Sequence, residues 1–105
     1  MDEREFVAAA EAELRRIDDA LTELERDDFD WQLAEGVLTA EFDDRSKLIV
    51  SVNRPAREIW VATRSQGLHF GWDAQASTWR TAKGQELWAT LSGFLTEELE
   101  EEIHL

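Results

Sequence analysis

Seven carboxylates crowd into one short stretch of this chain: Asp18, Asp19, Glu23, Glu25, Asp27, Asp28 and Asp30. Carboxylate oxygens suit hard cations, ferric iron, calcium, magnesium and manganese among them. Asp19 and Glu23 stand four residues apart, so on a helix they share a face, and Asp18 begins the neighbouring row. Glu25 to Asp30 continue across the helix end. Residues spread this far cannot enter one coordination sphere, so the expectation is several weak, exposed, overlapping sites that keep water ligands. Like charges four apart also destabilise a helix by roughly 0.2–0.5 kcal/mol per pair. Few lysines offset that repulsion, which favours something cationic at the ridge, although an acidic helix face is also a common solvated surface.

Trp60 is the second candidate. Its place in an alternating segment puts it on the face opposite Ile59 and Val61, where a large aromatic can anchor a protein interface or simply pack on its cross-strand neighbours. Alternation around Leu68, Phe70 and Trp72 puts His69 on the same open face, with Asn53 and Arg54 expected nearby. His69 could ligate a metal, but a hydrogen-bonded surface histidine is the simpler reading. Trp31, Trp72, Trp79 and Trp88 are expected in the core or at its rim.

Other chemistries are excluded. With no cysteine, the chain has no disulfide, thiolate zinc site or cysteine nucleophile, and cannot hold an iron–sulfur cluster through thiolates. The only other histidine, His104, sits in a tail expected to fray. No glycine-rich phosphate loop, nucleophile elbow or Glu-x-x-His repeat occurs. The chain is not expected to be an enzyme.

Bulk charge narrows the partners further. There are 24 acids and 11 bases, for a formal net charge of −13. Residues 1 to 30 hold twelve acids and four bases, 31 to 85 six and seven, and 86 to 105 six and none. Such a surface repels phosphate backbones and anionic lipid and attracts cations and basic protein patches. No nucleic acid or membrane partner is expected. The N-terminus is acidic, and no apolar run approaches the roughly 18 residues of a membrane span. A soluble cytoplasmic protein is the expectation.

The elements that must position these residues follow from periodicity. Phe6, Ala10, Leu14, Ile17, Leu21 and Leu24 recur at steps of four and three, predicting a helix over residues 3 to 25, with Asp2 and Glu5 as a capping box. From Phe29 the period changes to two. Strands are predicted at 29–33, 38–42, 47–52, around 59–61, at 68–72 and as a short piece at 78–80, joined by tight turns at Glu35-Gly36 and Asp43 to Ser46. Leu87, Leu91, Phe94, Leu95 and Leu99 predict a last helix from about Gly84 to Glu101. Gly93 within it costs about 1 kcal/mol relative to alanine. The order is helix, five or six antiparallel strands, helix: an α+β fold, read as a two-layer α/β sandwich in a single domain spanning 1–105. Two helices cover one face of such a sheet and leave the other open.

Nearly the whole chain resembles the bacterial frataxin family. The resemblance is carried by the acidic first helix running into an acidic strand, by GVLTAEF ending in an acidic turn, and above all by NRPAREIWVATRSQGLHF, with Trp79 and QELWATLSGFL downstream. It implies a frataxin-like sandwich that binds ferrous and ferric iron weakly and reversibly and docks on the cysteine desulfurase and scaffold complex of iron–sulfur cluster assembly as a regulator. The family's acidic ridge maps onto Asp18, Asp19, Glu23, Glu25, Asp27, Asp28 and Asp30, and its outward tryptophan onto Trp60. Thr22 and Gln32 stand where acids are common in the family. The expected solution state is a monomer, with iron-dependent oligomers an open alternative. The rival reading is an acidic interaction module that mimics nucleic acid and has no metal role.

Overall fold

The computed structural model describes all 105 residues as helix α1 (Glu3–Glu23), strands β1 (Phe29–Ala34), β2 (Val37–Phe42), β3 (Lys47–Asn53), β4 (Glu58–Ala62), β5 (Gly67–Asp73) and β6 (Thr78–Arg80), and helix α2 (Leu87–Leu99). The strands lie in sequence order in one antiparallel sheet. Both helices cover the same face, which makes the expected two-layer sandwich.

The α1 stripe is buried as its spacing requires: Phe6, Ala10, Leu14, Ile17 and Leu21 are each at most 1% exposed. Asp2 accepts from the Glu5 amide at 2.8 Å while the Glu5 carboxylate accepts from the Asp2 amide, closing the capping box. The helix stops at Glu23, slightly short of the predicted end, because Leu24 caps it and Glu25 turns left-handed at φ 53°. Alternation then fixes the sheet. Leu38, Ala40, Leu48, Val50, Ile59, Val61, Phe70 and Trp79 point into one core with the helices. The β1–β2 hairpin closes through Glu35 and Gly36 at φ 52° and 77°, the left-handed pair that matches strand twist.

Two expectations about the C-terminal part are corrected. The second helix starts at Leu87, not Gly84, because Glu86 is extended and caps it through its side chain. The Glu86 carboxylate accepts from the amides of Ala89 (2.9 Å) and Trp88 (3.1 Å) and from the Thr78 hydroxyl (2.8 Å), tying α2 to β6. The tail beyond α2 does not fray. Glu100 adopts a left-handed cap at φ 53° and the chain folds back. The Ile103 amide then donates to Thr96 Oγ1, the Leu105 amide donates to Ser92 Oγ, and Ile103 joins the core. No helix is long and apolar enough to cross a membrane.

Candidate functional site

The C-terminal half of α1, the loop after it and β1 together form the acidic edge of the molecule, and its seven acids are not equivalent. Asp18 Oδ1 accepts the indole N–H of Trp31 at 2.8 Å, which pins the helix to β1. Asp28 is held by the Arg26 guanidinium, Nε to Oδ1 at 3.0 Å and the second amino nitrogen to Oδ2 at 2.6 Å. The other amino group of Arg26 pairs with Glu101 of the folded-back tail. Those hydrogen bonds hold the Asp28 carboxyl below its usual range and the guanidinium above its own. Asp19, Glu23, Glu25, Asp27 and Asp30 are exposed, and their side chains make no hydrogen bond or ion pair. Nowhere do three carboxylate or imidazole groups converge on one point. The donor set is chemically suited to a hard cation, but it is spread along an edge and open to water, so any cation held there keeps much of its hydration. Thr22, at the position where an acid was expected by resemblance, turns its hydroxyl back to the Asp18 carbonyl at 3.0 Å.

The sheet face away from the helices is open, as two helices require. Trp60 and His69 are cross-strand partners on it, and their rings stack with centroids 4.2 Å apart and 8° between planes. Glu58, two residues before Trp60 and so on the same face, accepts the indole N–H at 3.0 Å and stands 3.7 Å from His69 Nδ1. The sequence reading missed Glu58, although its i, i+2 spacing to an outward tryptophan was there to be used. Asn53 is also on this face, opposite Glu58, but its Oδ1 accepts the Ala56 amide at 2.9 Å and so serves the proline turn. Arg54 does not sit beside Trp60 as expected. The turn carries it past the ends of β3 and β4 into a shallow hollow with Glu3, Val7 and Glu11 of α1.

Three strand spacings separate Trp60 from β1, about 14 Å across the sheet. Asp30, opposite Glu41 on the outward side of β1, therefore joins the acidic edge to the open face. Of the other tryptophans, Trp79 is core and Trp31 and Trp88 are half-buried, while Trp72, 42% exposed, leans edge-on against Trp79 at the rim.

Residues 1–104 match the family model described as a frataxin-like domain. The chain belongs to the frataxin-like family. Among the relatives of this frataxin-like chain is the iron-sulfur cluster assembly protein CyaY of Dechloromonas aromatica (strain RCB), 47% identical over 107 residues that cover 100% of this chain and 99% of that one. The protein of the same name from Paraburkholderia xenovorans (strain LB400) is 38% identical over 106 residues, covering 99% and 97%. The solved structure of the frataxin from Psychromonas ingrahamii aligns with a TM-score of 0.89 at 26% identity, covering 99% of this chain and 97% of that one. In this frataxin-like chain the exposed acids and the stacked indole therefore lie on a fold shared along its whole length.

Proposed function

We propose that this chain is an accessory and regulator of iron–sulfur cluster assembly, which docks on the cysteine desulfurase and scaffold complex through its acidic edge and the Trp60 face. Iron, ferrous or ferric, is cargo bound weakly and reversibly by the exposed carboxylates, with Asp19, Glu23, Glu25, Asp27 and Asp30 carrying most of it because Asp18 and Asp28 are already engaged. Reversible binding modulates docking by changing the charge that a basic partner meets. The observation that carries this reading is a run of five exposed, unpaired acids continuous with an open sheet face that displays a stacked tryptophan. Charge attraction then speeds encounter and the aromatic face supplies the desolvated contact.

The test is an anaerobic titration of this protein against the cysteine desulfurase of the same organism, with ferrous iron present or absent and salt varied. Salt-sensitive binding supports the docking role, and an affinity that changes with iron joins the edge to regulation. Absence of binding in every condition overturns it. The dispersed acids also suit the rival reading of an acidic module for a basic protein, since no three of them converge. Binding to a basic DNA-binding protein that is indifferent to iron would favour that rival.

A further inference from the structure

A cleft of about 430 Å³ opens between α2 and the connection from β4 to β5, and no residue of α1 lines it. It therefore lies apart from the acidic edge. Its volume falls in the range of about 300–1,000 Å³ common for ligand sites. Half-buried Leu68 and Phe94 contribute its apolar surface, with Val61 and Leu91, 3% and 1% exposed, behind them, and Arg64, Glu97 and Glu98 form its charged rim. The rim is not electrically balanced. Arg64 is already engaged by Asp44 at 2.7 Å, and the Glu98 carboxylate stands 2.5 Å from Ser46 Oγ, whose single proton it shares with Asp44. Glu97 is exposed and makes no side-chain hydrogen bond or ion pair, and the last turn of α2 contains no base. The cleft rim therefore carries no unpaired base to offset Glu97.

Gly93 is the independent sign that the cleft is kept open. It lies inside α2 with no positive φ, and a Cβ built on it would meet nothing within 4 Å. Neither backbone conformation nor close packing requires glycine there, and glycine is the poorest helix former after proline. What the missing side chain leaves is an unobstructed wall of the cleft, which Gly93 itself lines.

We propose that this cleft receives a basic peptide segment of a protein partner. An aliphatic side chain of the segment rests on Leu68 and Phe94, and a neighbouring arginine or lysine lays its stem along the wall and brings its cation to Glu97 and Glu98. An acidic or phosphorylated segment is disfavoured, because the one cation at the rim is already paired and the chain carries a net charge of −13. The site is independent of docking through the acidic edge, and either can fail without the other.

The probe is a set of three blocked tripeptides, acetyl-Leu-Arg-Leu-amide, acetyl-Leu-Glu-Leu-amide and acetyl-Gly-Arg-Gly-amide, titrated into the ¹⁵N-labelled full chain. The first is expected to shift the amides of Gln66, Leu68, Gly93 and Phe94 saturably, and the glycine peptide to bind about tenfold more weakly for want of its apolar side chains. The glutamate peptide binds more weakly than the arginine one at low salt, and E97Q lowers affinity for the arginine peptide about two- to fivefold, a difference that salt erases. G93L, which meets no neighbour at its Cβ, leaves the remaining spectrum folded and abolishes the shifts. Equal binding of the three peptides, shifts confined to α1, unchanged binding by folded G93L, or no shift with any peptide would each overturn the proposal.

Discussion

The Trp60 indole lies flat on the His69 imidazole, with ring centroids 4.2 Å apart and planes 8° from parallel, across the β4–β5 ladder. Glu58 fixes the outer end of the same unit through the indole N–H. An open-face tryptophan held from two sides is already ordered, so a partner that covers it gives up less side-chain entropy than one that must order a free indole.

That relationship separates stability from docking. His69→Ala should cost about 0.5–1.5 kcal/mol, the worth of an aromatic pair, with the lower value expected for an imidazole half exposed to water. Trp60→Ala should leave the fold intact and weaken desulfurase binding by about tenfold or more if the indole is an interface anchor. Urea denaturation and the binding titration read the two quantities separately. Binding unchanged by Trp60→Ala would remove the sheet face from the interface.

Charge reversal at Glu23 should move the same two quantities in opposite directions. Asp19 and Glu23, four residues apart and both unpaired, repel each other, so Glu23→Lys converts a like pair into an opposite one, a gain of about 0.5 kcal/mol in helix stability. Reversing Asp19 as well restores a like pair and sets a base four residues after Arg15, so the double variant loses that gain. Desulfurase affinity should fall in the single variant and fall further in the double, with a shallower salt dependence. Thermal unfolding and binding at two salt concentrations check this, and equal affinity for all three proteins would contradict docking through the acidic edge.

A third expectation concerns a buried carboxylate that the sequence reading treated only as one more acid. Glu13 is 6% exposed, receives the Trp88 indole N–H at 3.2 Å and pairs with Arg16, so it links the two helices. Glu13→Ala leaves the half-buried indole N–H without its acceptor and should cost about 1–3 kcal/mol. Glu13→Gln keeps an acceptor and should cost less. Denaturant midpoints rank the three proteins, and equal midpoints would mean that the link contributes nothing.

Periodicity made the layers legible because burial alternates by two in the strands and by three and four in α1, and those spacings are printed in the sequence. The acidic edge and the outward Trp60 were legible for the same reason. What escaped depends on side chains reaching across the fold. Glu86 is not a preferred capping type, yet it caps α2 because Thr78 on β6 holds its carboxylate in place. Local charge alone predicts a frayed tail, because its glutamates oppose the helix dipole. Burial of Ile103 and the Thr96 and Ser92 hydroxyls outweighs that local cost. Arg54 is misplaced by any flat reading of strands, since the Asn53 to Arg57 turn rotates it toward α1. The partners of Asp18 and Asp28, which divide the ridge into engaged and free acids, are likewise tertiary.

That division gives a pH prediction. Three carboxyls are held below their usual range: Asp28 by Arg26, Asp44 by the Ser46 hydroxyl and amide and by Arg64, and Glu86 by the Ala89 and Trp88 amides and Thr78, which outweigh an opposing effect of burial. A carboxyl depressed in the folded state binds fewer protons there than in the unfolded chain. Its contribution is therefore complete above the unfolded values of 3.8 for Asp and 4.5 for Glu and is lost as pH falls through the folded ones. Asp28→Asn should accordingly be less stable than the parent at pH 7, and the gap should close as pH falls toward about 2. Asp27→Asn, altering an acid with no partner, should show no such gap and should gain slightly at neutral pH from reduced repulsion. Thermal melts of the three proteins across that range check both halves. A gap for Asp28→Asn that persists unchanged in acid would mean that the Arg26 contact does not stabilise the fold through the ionised carboxylate.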